Sequence, residues 1–197
     1  RVKTIIVAGE PGGSIPATRA KLESLWPGAR IFDHHGMTEV GPVTHECPQQ
    51  PGVLHVIESA YYAEVIDSNT GQPAPRGELI LTTLSRTGSP LLRYRTGDLV
   101  ERAVGSGPCE CGRSSLRLAG GVLGRVDDMV IVRGVNVYPT AVEEILRRFP
   151  DVAEYQVHVT KPGALCELRI ELEPADTCAD VVGLGRNVRQ ALETALN

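Results

Sequence analysis

The chain has 197 residues, 42% of them hydrophobic and 22% charged, which is room for one large domain or two small ones and the composition of an ordinary soluble globular protein. A balance of 20 basic against 24 acidic side chains, formally −4, argues against general binding to nucleic-acid backbone or anionic membrane, both of which need clustered positive charge. No apolar run approaches the roughly 20 residues that cross a bilayer and no signal peptide opens the chain, so the expected compartment is the cytoplasm. The chain starts at Arg1 without a Met and runs directly into strand-like residues, which reads as a piece of a longer protein. The apolar run from Thr4 ends in the turn Gly9-Glu10-Pro11-Gly12-Gly13, as a buried strand does before a loop. Ser14-Ile15-Pro16 then predicts a capped helix to about Trp26, stopped by Pro27-Gly28, and residues 29–36 predict a second short strand.

From Val53 to Leu118 the pattern becomes short strands separated by turns such as Ser68-Asn69-Thr70-Gly71 and Pro75-Arg76-Gly77, an antiparallel arrangement. Gly120, Gly121 and Gly124 read as a linker. A hairpin over Met129–Pro139, a helix from Pro139 to Phe149, two strands near 153–160 and 165–173 and a last helix complete the chain. The expected fold class is mixed α+β and α/β. Residues 1–124 would end a large domain, with an α/β segment over 1–46 and a β subdomain over 47–119. Residues 125–197 would form a small mobile α+β domain, expected to be truncated. Repeats and low-complexity segments are absent from the sequence.

Three short segments carry candidate chemistry. His35-Gly36-Met37-Thr38-Glu39 follows a strand and offers close backbone approach, a hydroxyl for a phosphate oxygen and a carboxylate for Mg²⁺; taken alone, it reads more simply as a helix N-cap. Tyr94-Arg95-Thr96-Gly97-Asp98-Leu99 reads as a strand closed by a turn presenting a carboxylate, which suits the two hydroxyls of a ribose as well as it suits a plain hairpin turn. Gly124-Arg125-Val126-Asp127-Asp128 places an Arg and two acids on the linker, ahead of Arg133-Gly134-Val135-Asn136.

In this order these segments, with the Gly9–Gly13 turn, resemble the adenylate-forming (AMP-binding) acyl-CoA ligase superfamily over essentially the whole chain. The phenylacetate–CoA ligase group is the nearest variant, and the resemblance is to its C-terminal portion. It implies an acid–thiol ligase that activates an aromatic carboxylate with MgATP to an acyl-AMP and transfers it to coenzyme A. It also implies roles by position. Gly9, Glu10 and Pro11 form the adenine- and acyl-side loop, and His35 and Gly36 lie against the base. Thr38 contacts phosphate, Glu39 holds Mg²⁺, Asp98 anchors the ribose and Arg125 makes a second ribose or phosphate contact. Asp127 is the hinge, and Gly134 meets the pantetheine arm.

Two departures qualify this. His35 stands where the family commonly has Tyr, offering less stacking area, and His34 could lie beside the acyl pocket or simply be a packed loop histidine. The phosphate-binding loop expected upstream and the adenylation lysine expected after the last strand are not in the chain, whose lysines are Lys3, Lys21 and Lys161; alone, it is expected not to adenylate, and the N-terminal half of the enzyme is an expected partner.

Of the five cysteines, all expected as thiols in the cytoplasm, Cys47, Cys109 and Cys111 form with His55 a closed set suited to structural Zn²⁺, although unliganded loop thiols fit the spacing alone. Relatives in the phenylacetate–CoA ligase group carry a similar Cys/His set. Cys166 and Cys178 read as a core residue and a helix-start residue. Transfer to a carrier protein or an amine, and a catalytically incomplete nucleotide-binding or zinc-stabilised module, are the alternative functions. The acid itself and the oligomeric state are not encoded in these patterns.

Overall fold

The computed structural model describes residues 2–8, 13, 15–105, 107–161, 163 and 165–196. They form two compact units, Arg1–Asp127 and Asp128–Asn197. Among the described residues, no helix is long and apolar enough to cross a membrane. The mixed α and β character expected from the sequence is what the structure has, with antiparallel strands predominating.

In the first unit, β1 (Thr4–Val7) pairs in parallel with β2 (Arg30–Asp33), the crossover being α1 (Pro16–Leu25). Pro16 presets the backbone of the first turn, which Ile15 enters in an extended conformation without a side-chain cap; Ser14 lies outside the described residues. The helix ends at Trp26, whose N–H returns to the Leu22 carbonyl, and Gly28 adopts a φ of 81° beyond it. Arg19 fastens α1 to the sheet through the carbonyls of Ile31 at 3.2 Å and Gly13 at 3.3 Å and through the buried Glu46 carboxylate.

Next come β3 (Gly36–Met37) and β4 (Gly41–Pro42), a small antiparallel pair joined by a turn over residues 38–40. The turn rules out the simpler N-cap reading of His35–Glu39, since no helix follows. A six-stranded antiparallel sheet then runs in the order β5-β6-β10-β9-β8-β7. Its strands are β5 (Thr44–Glu46), β6 (Val53–Val56), β7 (Tyr61–Ile66), β8 (Arg76–Thr83), β9 (Tyr94–Arg102) and β10 (Arg117–Arg125). Val43, Leu54, Val56, Leu79, Leu81, Val100 and Leu118 fill the core beneath it. Leu54 and Val56 on β6, and Leu79 and Leu81 on β8, are spaced two apart and so share a face, while β8 is buried on both faces from Gly77 to Leu81.

Two expectations are corrected here. Gly120, Gly121 and Gly124 are not a linker but lie within β10, where bulges interrupt the register between Leu118 and Val122 and again before Gly124. Glycine accepts the positive φ that bulges demand, 68° at Gly120, so a cluster that reads as a breaker here bends a continuous strand. Likewise Tyr94–Leu99 does not close a strand. It opens the nine-residue β9, with Gly97 at φ 77° inside it.

In the second unit, β11 (Val130–Val132) and β12 (Val135–Val137) form a hairpin whose two-residue turn, Arg133-Gly134, has positive φ at both positions, 49° and 90°. Then follow α2 (Pro139–Leu146), the antiparallel pair β13 (Val152–Thr160) and β14 (Glu167–Pro174), and α3 (Val181–Ala195), capped by Asp180 accepting the Gly183 N–H at 2.8 Å. Val137, Val142, Leu146, Val152, Leu184 and Val188 make its core, and α2 stops short of the expected Phe149 in a turn.

Candidate functional site

The β8–β9 register shifts between Arg95 and Leu99, the stretch that holds Gly97 and Asp98. Thr96 Oγ1 donates to the Leu79 carbonyl at 2.9 Å and accepts the Asp98 N–H at 3.0 Å, while buried Glu78 accepts the Gly97 N–H at 3.2 Å. The β9–β10 register sets Arg125 opposite Asp98. Arg125 Nη1 lies 3.8 Å from Asp98 Oδ1 and 3.4 Å from the Thr96 carbonyl. The same guanidinium grips Asp127 with two bonds, Nε to Oδ1 at 2.9 Å and Nη2 to Oδ2 at 3.1 Å, and so holds the Asp127 carboxyl below its ordinary pKa.

His35 completes the group, its Nε2 being 3.0 Å from Asp98 Oδ2. The ring is delivered by main chain: His35 N–H donates to Thr44 Oγ1 at 2.8 Å, and its carbonyl accepts Val43 N–H at 2.9 Å and Thr44 N–H at 3.0 Å. Despite the short contact, Asp98 Oδ2 lacks hydrogen-bond geometry, and His35 Nδ1 is also buried without a hydrogen bond among the described residues. Asp98 Oδ2, which faces His35 Nε2, and His35 Nδ1, the other ring nitrogen, are each left with unused bonding capacity.

An open groove of about 360 Å³ is lined by His34, Gly36, Met37, Thr38 and Pro42 among others. A Cβ on Gly36 would lie 2.9 Å from the Gly41 carbonyl oxygen, so only glycine lets β3 and β4 approach this closely. Thr38 and Glu39 are both exposed on the joining turn, whose Glu39 carbonyl accepts a hydrogen bond from Arg86. The structure thus gathers His35, Asp98, Arg125 and Asp127, and sets Thr38 in the groove wall next to His34. Gly134 is exposed at the hairpin tip of the second unit, and Gly9, Glu10 and Pro11 lie outside the described residues. Sequence reasoning missed Glu78, Thr96 and Thr44. Only Glu78 left a trace, as a lone carboxylate at the head of the apolar run of β8.

A second constellation stands at the far end of β5 and β6. Cys47 Sγ is 3.5 Å from Cys109 Sγ, Cys111 Sγ is 3.4 Å from His55 Nε2, and the four donor atoms all lie within 4.8 Å of one another. A tetrahedral ion with ordinary Zn–S and Zn–N bonds spaces its ligand atoms about 3.5 Å apart, so the donor set fits a metal ion of that kind. Burial, with His45, Arg113 and Arg117 nearby, lowers the His55 pKa and favours the neutral ring that ligates. Burial raises the Cys47 thiol. At Cys111 burial also acts upward, but hydrogen bonds from the Arg113 backbone and side chain, then from Cys109 and Cys47, outweigh it and bring the thiol to about 7. Cys166 and Cys178 are half-buried in the second unit, Cys178 against its core.

Residues 134–197 match the AMP-binding enzyme C-terminal domain. Phenylacetate-coenzyme A ligase of Thermus thermophilus is 41% identical over 155 residues, covering 76% of this chain and 34% of that protein. The chain belongs to the adenylate-forming, AMP-binding enzyme family. Another relative within this family, phenylacetate-coenzyme A ligase of Aromatoleum evansii, is 38% identical over 80% of the chain and 36% of its own length. Among solved structures of the family, 2-hydroxyisobutyryl-CoA ligase in its postadenylation state with R3-HIB-AMP covers 98% of this chain and 43% of that one, at 29% identity and a TM-score of 0.89. The chain therefore spans about a third of the length of the curated family members it matches.

Proposed function

We propose that the chain is the nucleotide-anchoring and small-domain portion of an AMP-forming ligase. That enzyme would join an aromatic carboxylate, phenylacetate-like, to coenzyme A through an acyl-adenylate. The observation that carries this reading is the buried Asp98 carboxylate, whose Oδ2 faces the His35 ring without a hydrogen bond and whose Oδ1 lies 3.8 Å from Arg125. Ribose hydroxyls would donate to the carboxylate, and the base would lie against the imidazole. Arg125, held by Asp127, would meet a ribose or phosphate oxygen. Thr38 would hydrogen-bond a phosphate oxygen, and Glu39 would hold Mg²⁺, which when bound offsets charge developing at phosphorus.

In the first half-reaction the substrate carboxylate attacks the α-phosphorus and pyrophosphate leaves. In the second the coenzyme A thiolate attacks the acyl carbon and AMP leaves. The backbone at Asp127, where one compact unit ends and the next begins, is the hinge in this reading, and Gly134 would border the pantetheine arm. The loop of Gly9, Glu10 and Pro11 would close the acyl and adenine side. The cytoplasm, which supplies ATP, coenzyme A and reduced thiols, is its compartment. Transfer to a carrier protein or an amine keeps every role except the last acceptor.

The Cys47, His55, Cys109 and Cys111 cluster supports a structural Zn²⁺ that ties the segment after β5 to the loop before β10. Calorimetry with AMP and with an aryl-AMP analogue tests the nucleotide reading. Binding that weakens at least tenfold in Asp98→Asn is expected. Binding of neither ligand by the folded chain would leave the zinc-stabilised module as the surviving function.

A further inference from the structure

The metal-ligand cluster contains a polar neighbour that is not one of its four donors. Ser115 Oγ lies 3.0 Å from His55 Nδ1, the ring nitrogen turned away from the thiols, while Nε2 faces Cys111. Sheet geometry, not chance, sets that distance. The Val56 N–H donates to the Leu116 carbonyl at 2.9 Å, the Leu116 N–H donates to Glu58 at 2.8 Å, and Arg117 stands opposite His55 in the β6–β10 register. The residue before Leu116 is thereby pinned beside the ring. The same short loop delivers Cys109 and Cys111, its turn closed by Cys109 N–H to the Arg113 carbonyl and Gly112 N–H to the Cys109 carbonyl, both 2.7 Å. Against a face of the imidazole, His45 stacks with ring centroids 5.6 Å apart and planes 18° from parallel. The ring is fully buried and held from two directions.

We propose that Ser115 is the positioning residue of this metal site, fixing His55 as the tautomer that carries its proton on Nδ1 and offers the Nε2 lone pair to the ion. The inference rests on the metal reading of the cluster. A neutral imidazole has one donor and one acceptor nitrogen, so whichever group accepts the Nδ1 proton determines what Nε2 can do. A serine hydroxyl can accept from Nδ1–H and, unlike a carboxylate, adds no charge to a site already holding three thiols. Losing such an outer partner weakens metal binding by about 10–100-fold while the ligand set stays intact.

The test is Co²⁺ and Zn²⁺ titration against a chelator for the full chain, S115A and S115T, with ¹⁵N–¹H spectra of the histidine side chains. Expected are a tetrahedral thiolate–Co²⁺ spectrum in all three, a 10–100-fold loss of affinity in S115A and recovery in S115T. In the zinc-loaded unsubstituted chain, His55 should show a slowly exchanging Nδ1 proton that exchanges rapidly in S115A. Equal affinities, coordination through Nδ1, or an Nδ1 proton still protected in S115A would overturn the proposal. If the unsubstituted chain binds neither ion, the metal reading itself is wrong. The metal-free spectra then still decide whether Ser115 sets the His55 tautomer, and a proton on Nε2 would refute it.

Discussion

Glu78, at 2% exposure, receives the Gly97 N–H at 3.2 Å, so a carboxylate buried on β8 holds the backbone one residue before Asp98. Its other oxygen is bound by Arg95 and by Ser68 Oγ at 3.3 Å. The candidate nucleotide anchor therefore rests on a second acid beneath it.

Burial alone would raise the Glu78 pKa, but the Arg95 bond and the Gly97 N–H outweigh it and hold the carboxyl below its ordinary 4.5. A depressed folded pKa contributes stability that is present above the unfolded value and lost as pH falls through the folded one. E78Q should therefore cost about 2–3 kcal/mol near neutrality. The gap from wild type should narrow as denaturant titrations move from about pH 6 to pH 3. A gap that stays constant over that range would contradict the assignment.

Gly97→Ala meets two obstacles. At φ 77° a Cβ is strained, and the added carbon would lie 2.6 Å from Arg125 Nη2. Because the obstructing atom ends a flexible side chain, Arg125 can swing away, so the stability loss should stay near about 1–2 kcal/mol. The AMP affinity should suffer more, by an order of magnitude or greater, as calorimetry would read.

Thr44 links the two constellations. Its hydroxyl accepts the His35 N–H at 2.8 Å, and three residues along the same segment Cys47 joins the thiol cluster. Stripping metal with a chelator is expected to weaken AMP binding about fivefold or more through β5. Thr44→Val should make the two preparations bind alike. Identical AMP affinities for loaded and stripped wild type would break the connection.

Arg19 and Glu46 form an ion pair in which Glu46 is 1% exposed and also accepts the Asp33 N–H at 3.1 Å and the Gly52 N–H at 2.6 Å. Arg19→Leu leaves that carboxylate buried without its cation, and a loss of about 3–5 kcal/mol in thermal or denaturant unfolding is expected. A loss below about 1 kcal/mol would place the pair among exposed, screened contacts.

What could be read from the residues alone was whatever depends on neighbours along the chain. The proline start of α1, the Arg133-Gly134 hairpin and the short strands separated by turns follow from local backbone preference. The same local rules misread Gly120, Gly121 and Gly124, because a glycine needed for a bulge and one needed for a linker are the same residue until a partner strand is present. Only the fold set Asp98 opposite Arg125, brought Glu78 beneath Gly97, and closed Cys47, His55, Cys109 and Cys111 into one cluster with Ser115 behind it. Those relations are fixed by the ladder registers of β8, β9 and β10 and of β5 and β6. Strand register is decided by burial on a shared face, a property of the assembled sheet and of no single stretch of chain.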